Sequence, residues 1–215
     1  METVLYDYWR SSASYRLRIA LNLADIPYRS VEIDLVAGAQ RDDAHIARNP
    51  QGLVPVLEID GHSFTQSLAI LDYLNDTRAL GLVPADAAQA AHVRAIAHTV
   101  AVDVHPVCNL GVISHVAAQM PENKSAREEW MQRFIPPGLR AFEALLATHS
   151  QTPFCVGNAP GLADICLMPQ IYNAERWGID YSDCPRIIGV VAACNAHEAF
   201  VAAHPDRVKP AYRPN

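Results

Sequence analysis

The residues best placed to do chemistry in this chain are hydroxyls and guanidiniums. Trp9-Arg10-Ser11-Ser12-Ala13-Ser14 sets three hydroxyls beside an arginine, just ahead of a helical stretch. Ser11, Ser12 and Ser14 suit N-capping there, since a side-chain oxygen can accept a free backbone N–H. The same place suits anion chemistry, because a helix N-terminus carries positive potential and favours a thiolate. No cysteine stands in this stretch, so a thiol activated there would have to arrive on a ligand. Both readings stay open on the local pattern. Val54-Pro55, ahead of an apolar run, marks a sheet edge, and a cis bond there would turn the Val54 backbone toward a strand-like ligand. Gln66-Ser67 opens another helix, either as a plain cap or as a holder of a carboxylate on free N–H groups. Gly161-Leu162-Ala163-Asp164 opens a later one, and Asp164, three residues into it, reads as the structural half of a capping box.

Other chemistries find less support. The nine histidines include His92, His98 and His105, six and seven apart. A helical metal pair needs three or four, and no H-E-x-x-H occurs, so no metal site is expected. Five cysteines without a C-x-x-C pair suit the reduced thiols of a cytosolic protein. A net charge of −6 offers no basic track for a phosphate backbone, so no nucleic-acid partner is expected. A small anionic substrate needs only one or two local cations and remains open. No apolar run reaches about 18 residues, so no membrane span is expected. The N-terminus lacks the cationic lead and apolar stretch of a signal peptide, which points to the cytoplasm.

A scaffold must bring these residues together, and 215 residues make one to two domains. Residues 3–8 and 28–35 read as strands. Between them, 14–24 reads as a helix with Leu17, Ala20, Leu21 and Ala24 on its apolar face and Arg16 and Arg18 off it. Residues 36–49 are polar. Strands at 54–59 and 62–65 flank Asp60-Gly61, a hairpin signal, and a helix follows at 66–75. This β-α-β, then β-β-α order implies a parallel pair plus an antiparallel hairpin, a thioredoxin-like α/β unit. Residues 78–86 read as a linker. Beyond them the pattern is helical throughout: 85–120 with a kink at His105-Pro106, 124–148, 161–177 and 184–203. Pro136-Pro137-Gly138 must break or bend the second of these. The expected domains are α/β over 1–80 and all-helical over 86–215.

Several strings carry a resemblance: Arg10-Ser11-Ser12-Ala13-Ser14-Tyr15-Arg16-Leu17-Arg18-Ile19-Ala20-Leu21, Asn49-Pro50, Val54-Pro55, Gln66-Ser67-Leu68-Ala69-Ile70, Leu162-Ala163-Asp164 and Asn173-Ala174-Glu175-Arg176. Through them the chain resembles the glutathione transferases along its whole length, and the zeta class most closely, which looks like the maleylacetoacetate and maleylpyruvate isomerases. It departs from the class pattern twice. The class usually reads Ser-Ser-Cys-Ser, and Ala13 replaces that cysteine. The class usually opens the later helix with Ser or Thr, and Gly161 stands there.

The resemblance implies the glutathione transferase fold, a homodimer, and glutathione as cofactor. It implies glutathione contacts at Ser11, Ser12, Ser14, Gln40, Val54, Gln66 and Ser67, with Cys108 and Ser114 approaching from the helical domain. It implies cis–trans isomerisation of a maleyl diacid, maleylacetoacetate to fumarylacetoacetate, in tyrosine and phenylalanine catabolism. The catalytic role of holding the thiolate falls to Ser11, with Ser12 or Ser14 as substitutes. Arg10 and Arg176 are the candidates for the carboxylates of a small anionic substrate, since a guanidinium forks onto a carboxylate. Each also has a plain reading: a surface ion pair for Arg10, a cation at a helix C-terminus for Arg176. His105 is a candidate to line the same cleft. The alternatives are a transferase that conjugates or dehalogenates small electrophiles such as α-halo acids, a maleylpyruvate isomerase, and a non-catalytic module, against which the serines argue.

Overall fold

The alternation in the first eighty residues builds one mixed sheet. In this computed structural model, which describes residues 2–210, β1 (Val4–Asp7), β2 (Arg29–Glu32), β3 (Val56–Ile59) and β4 (His62–Thr65) lie in the order β2-β1-β3-β4. β1 and β2 run parallel with Val4 opposite Arg29, so a crossover must join them, and α1 (Ser12–Leu23) is that crossover. The other pairs are antiparallel, with Leu5 opposite Leu57 and Leu57 opposite Phe64. Asp60 and Gly61 both take positive φ, as the tight β3–β4 turn requires. A 3-10 turn at Ala39–Arg41 and the one-turn α2 (Asp43–Ile46) precede β3, and α3 (Ser67–Arg78) follows β4.

β1 is buried on both faces. Val4 and Tyr6 point one way, into a cluster with Ile33 and Val56 that Val54 and Ala39 pack against. By the same alternation Leu5 and Asp7 point the other way. There Asp7 meets Arg18 of α1, whose Nη1 donates to both carboxylate oxygens at 2.9 and 2.8 Å. Arg16 and Arg18, read as off the apolar face of α1, are only 3% and 1% exposed. The reason lies far along the chain: α9 (Glu198–Ala203) packs on α1, Ala203 O accepts Arg18 Nε at 3.0 Å, and Ala199 O accepts Asn22 Nδ2 at 3.0 Å. By contacts the chain forms two units, Met1–Leu80 with the segment from Ala196, and Gly81–Asn195. The sequence pattern had grouped 86–215 together; the bonds from α1 to α9 are what return α9 and α10 (Pro205–Val208) to the first unit.

The second unit holds α4 (Ala87–His98), α5 (Leu110–Gln119), α6 (Ala126–Leu146), α7 (Leu162–Arg176) and α8 (Pro185–Ala196), the last of which ends at its border. The expected kink near His105-Pro106 is a π-helical stretch, Thr99–Val104, with His105 N–H reaching back to Val100 O at 2.9 Å. Of the break or bend expected at Pro136-Pro137, a break is not found: α6 runs through both prolines. Each interior proline costs about 3 kcal/mol. Met131, Ile135, Leu139, Phe142 and Leu146 form a buried stripe along α6, each contributing about 1.5–3 kcal/mol, and the stripe outweighs that loss. A Cβ on Gly138 would collide with Val104, so glycine is what lets the π-helical stretch lie against α6. The helix expected at 184–203 is interrupted at His197, which caps α9 through Nδ1.

Asp164 is structural, as its position suggested. Its Oδ2 accepts Gly161 N–H at 2.9 Å and its Oδ1 accepts Cys155 N–H at 2.8 Å. Gly161 has a reason too. Leu82 O accepts Leu162 N–H at 2.8 Å, and a Cβ on residue 161 would stand 3.1 Å from that carbonyl oxygen. Among the described residues no helix is long and apolar enough to cross a membrane. Nor do three metal-ligating side chains gather among them.

Candidate active site

In the first unit the chemistry-bearing residues sit on four short segments. The first is the turn from β1 into α1. Ser11 is the N-cap, and its Oγ accepts Ser14 N–H at 3.2 Å. The capping role therefore uses a lone pair and leaves the Ser11 hydroxyl proton to donate elsewhere. Ser11 and Ser12 are half-buried. Ser14 is fully buried, and its Oγ meets no partner among the described residues. It is thus more deeply buried than Ser11 and Ser12. Arg10 lies 5.9 and 5.4 Å from the Tyr8 and Trp9 ring centres, in cation–π range. No described carboxylate pairs with it, so the surface ion-pair reading finds no partner.

The second segment is the 3-10 turn with Gln40, whose Oε1 is buried and without a partner among the described residues. The third runs from α2 to Val54. The Val54–Pro55 bond is cis. Val54 is half-buried, and among the described residues its N–H has no hydrogen-bond acceptor. Leu53 O just before it accepts from His45 Nε2 at 2.9 Å and from Asn49 Nδ2 at 2.8 Å. The fourth is the start of α3. Gln66, at φ 68°, is its N-cap but makes no side-chain cap bond, which leaves the first-turn N–H groups open. Its amide instead donates to Gln51 Oε1 at 2.7 Å. Ser67 is buried, and its Oγ accepts Arg16 Nη1 at 3.0 Å.

Four supporting residues escaped the sequence reading: Arg16, which ties α1 to the start of α3; Gln51, which holds Gln66; and His45 and Asn49, which hold Leu53. The arginine carried a signal, a charge beside the apolar stripe of a helix in a two-faced sheet. Asn49 carried one in the Asn49-Pro50 string, while Gln51 and His45 lie in polar sequence and carried none.

The second unit holds the other candidates. Cys108 sits in the turn after the π-helical stretch, and burial pushes its thiol up to about 11, so it is protonated at neutral pH. His105 ends that stretch, and Ser114 lies half-buried on α5. Arg176 is the last residue of α7 and is exposed. It donates to Asn173 Oδ1 at 3.4 Å and lies 6.0 Å from both the Tyr172 and Trp177 rings.

Residues 1–76 match the family described as Glutathione S-transferase, N-terminal domain. The chain is 56% identical over 210 residues to the maleylacetoacetate isomerase of Rhizobium meliloti, covering 97% of this chain and 99% of that one. Among solved structures it superposes at TM-score 0.93 and 36% identity on a holo maleylpyruvate isomerase described as a bacterial zeta-class glutathione transferase, covering 97% of this chain and 100% of that one. A maleylacetoacetate isomerase from Anaeromyxobacter dehalogenans, solved with dicarboxyethyl glutathione and citrate in its active site, matches at TM-score 0.86 and 38% identity over 99% of this chain and 95% of that one. A mixed four-stranded sheet with a hydroxyl-capped α1 and a cis proline ahead of β3 is the thioredoxin-like domain of a glutathione transferase. Together with the full-length likeness, it shows that the chain belongs to the zeta-class glutathione transferases.

Proposed function

We propose that this protein is a glutathione-dependent isomerase that converts a maleyl diacid, maleylacetoacetate, to its fumaryl isomer. The observation that carries this reading is 56% identity along essentially the whole of both chains with an enzyme of that name. The residues present fit glutathione. The buried, unpartnered Gln40 Oε1 suits an amide N–H, the open Val54 N–H suits a peptide carbonyl, and the uncapped N–H groups at the start of α3 suit a carboxylate. Ser11 and Ser12, at the positive end of α1, suit a sulfur anion.

When bound, glutathione supplies a thiolate that adds to the substrate double bond and leaves again, which lets the carbon–carbon axis turn. The chain's own residues do the rest. Ser11 donates its free hydroxyl proton to the sulfur anion, and the α1 N-terminus adds fixed positive potential that needs no rearrangement. Gln51 holds the Gln66 side chain, and Arg16 holds Ser67, so the carboxylate end of the site is set before a ligand arrives. Arg10, against the Tyr8 and Trp9 rings and without a carboxylate partner among the described residues, is the first unit's candidate for a substrate carboxylate. Arg176, exposed at the end of α7, is the second unit's candidate. Ser11→Ala removes a hydrogen bond to a charged group, about 1.5–3 kcal/mol, and lowers turnover about ten- to a hundredfold.

This reading makes the protein a cytoplasmic homodimer of aromatic amino-acid catabolism, with a glutathione-binding domain over 1–80, on which the segment from Ala196 packs, and a helical domain from 86 to 195. Maleylpyruvate is the second substrate reading, favoured by the TM-score of 0.93 to a maleylpyruvate isomerase. The test supplies purified protein, glutathione and each maleyl acid in turn. Fumaryl product at constant glutathione supports isomerisation, and the faster acid names the substrate. Loss of glutathione in step with substrate would replace the reading with a conjugating transferase.

A further inference from the structure

Resting on the reading that this site binds glutathione, we propose that His45 is a positioning residue that aims the Val54 N–H at the ligand. Leu53 C=O and Val54 N–H share one trans peptide plane and point in opposite directions, so whatever fixes the carbonyl fixes the N–H. Two side chains fix it: His45 Nε2 at 2.9 Å and Asn49 Nδ2 at 2.8 Å. They come from different places. Asn49 belongs to the turn itself, where its Oδ1 accepts Gln51 N–H at 3.1 Å and its backbone O accepts Gly52 N–H at 2.9 Å. His45 belongs to α2 and reaches the carbonyl from outside the turn.

A carbonyl oxygen only accepts, so the imidazole proton must sit on Nε2. That leaves Nδ1 as an acceptor, buried and without a partner among the described residues, in a side chain whose residue is 1% exposed. An apolar ring of the same size would fill that space without stranding a nitrogen. What the imidazole adds over such a ring is the N–H on Leu53 O, one residue from the open N–H of Val54.

The test measures glutathione affinity by calorimetry, with melting temperature, on the wild type, His45→Phe and His45→Gln. Phe keeps the volume and removes the donor; Gln restores a donor that reaches the same carbonyl. His45→Phe is expected to weaken glutathione binding about two- to tenfold, the fold-change of one net hydrogen bond, with kcat at saturating glutathione held within about twofold. His45→Gln is expected to return affinity to within about twofold of wild type. Unchanged affinity in His45→Phe overturns the proposal, as does a His45→Gln variant that shares the loss, since either makes His45 a packing residue only. Imidazole nitrogen NMR of the wild type checks the tautomer without any variant: a neutral Nε2–H form supports the proposal and an Nδ1–H form overturns it. If the wild type fails to bind glutathione, the functional reading falls and this proposal with it. If the wild type binds and His45→Phe matches it, only the role of His45 falls.

Discussion

Arg18→Met is the substitution that most directly tests how the fold holds the β1–α1 turn. The arginine side chain is 1% exposed and that of its partner Asp7 is 4% exposed. It gives two hydrogen bonds to Asp7, one from Nη2 to Trp9 O at 2.9 Å and one from Nε to Ala203 O at 3.0 Å, and its guanidinium lies 5.3 Å from the Tyr15 ring centre. Methionine keeps the unbranched apolar stem and removes every donor. The Asp7 carboxylate is then a buried charge without its partner, which costs about 3–5 kcal/mol, and two orphaned carbonyls push the figure to the upper end. In a chain of this size about 1 kcal/mol moves Tm about 2–4 °C, so the drop is about 6–20 °C. Urea unfolding at neutral pH measures it. Adding Asp7→Asn to Arg18→Met removes the stranded charge and should recover part of the loss, whereas independent sites would add. Trp9 O also steadies the backbone just ahead of Arg10 and Ser11, so glutathione affinity should fall in the folded fraction. A loss under about 1 kcal/mol for Arg18→Met, or a double variant worse than the single, would refute the claim that this pair carries the turn.

Three further outcomes are expected. Gly138→Ala should destabilise: alanine gains about 1 kcal/mol of helix propensity, but its Cβ meets the stiff Val104 side chain, an overpacking cost of about 1–3 kcal/mol, and Val104→Ala in the same chain should relieve it. Asp164 is raised above its ordinary carboxyl value, chiefly by burial and against the backbone N–H bonds it accepts. A raised acid stabilises the fold below its unfolded value and loses that contribution as pH rises through the folded one. The stability gap between wild type and Asp164→Asn, from urea titrations at pH 4 and pH 7, should therefore shift toward the Asn variant at the higher pH, and a gap constant with pH would contradict the burial argument. All five cysteines are buried, and burial pushes Cys108 and Cys184 up to about 11. At pH 8 about one in a thousand such thiols is ionised, so a disulfide reagent should label almost none in the native protein and five in urea, and rapid native labelling would argue against the packing described.

What the sequence made legible is what local pattern encodes. Asp60-Gly61 needs two positive φ angles and nothing else nearby. Ser11 caps through a bond only three residues long, and β1 is a short run of its own mostly apolar residues. Three features depend on packing that the local pattern does not show. Arg18 looks like a surface charge until Ala203, 185 residues on, closes over it. Pro136-Pro137 looks like a break until the stripe through Phe142 is buried. Gly161 looks like a weaker cap than the usual hydroxyl until Leu82 O fills the space a Cβ would take.

The site divides in the same way. Ser11, Gln66 and Val54 are visible because helix starts and Val-Pro pairs have local chemistry. Arg16 and Gln51 act over separations of 51 and 15 residues and are not. The change at residue 13 then bears on the source of the reacting sulfur. The first turn of α1 reads Ser12-Ala13-Ser14-Tyr15 and holds no cysteine. The five cysteines the chain does have, at 108, 155, 166, 184 and 194, are all buried, and burial moves Cys108, Cys155, Cys184 and Cys194 away from the thiolate form. The hydroxyl-capped N-terminus of α1 offers positive potential to an anion, and four of the five thiols of this chain are moved away from the thiolate form, which is why glutathione, a thiol brought in from solution, is the ligand to test first.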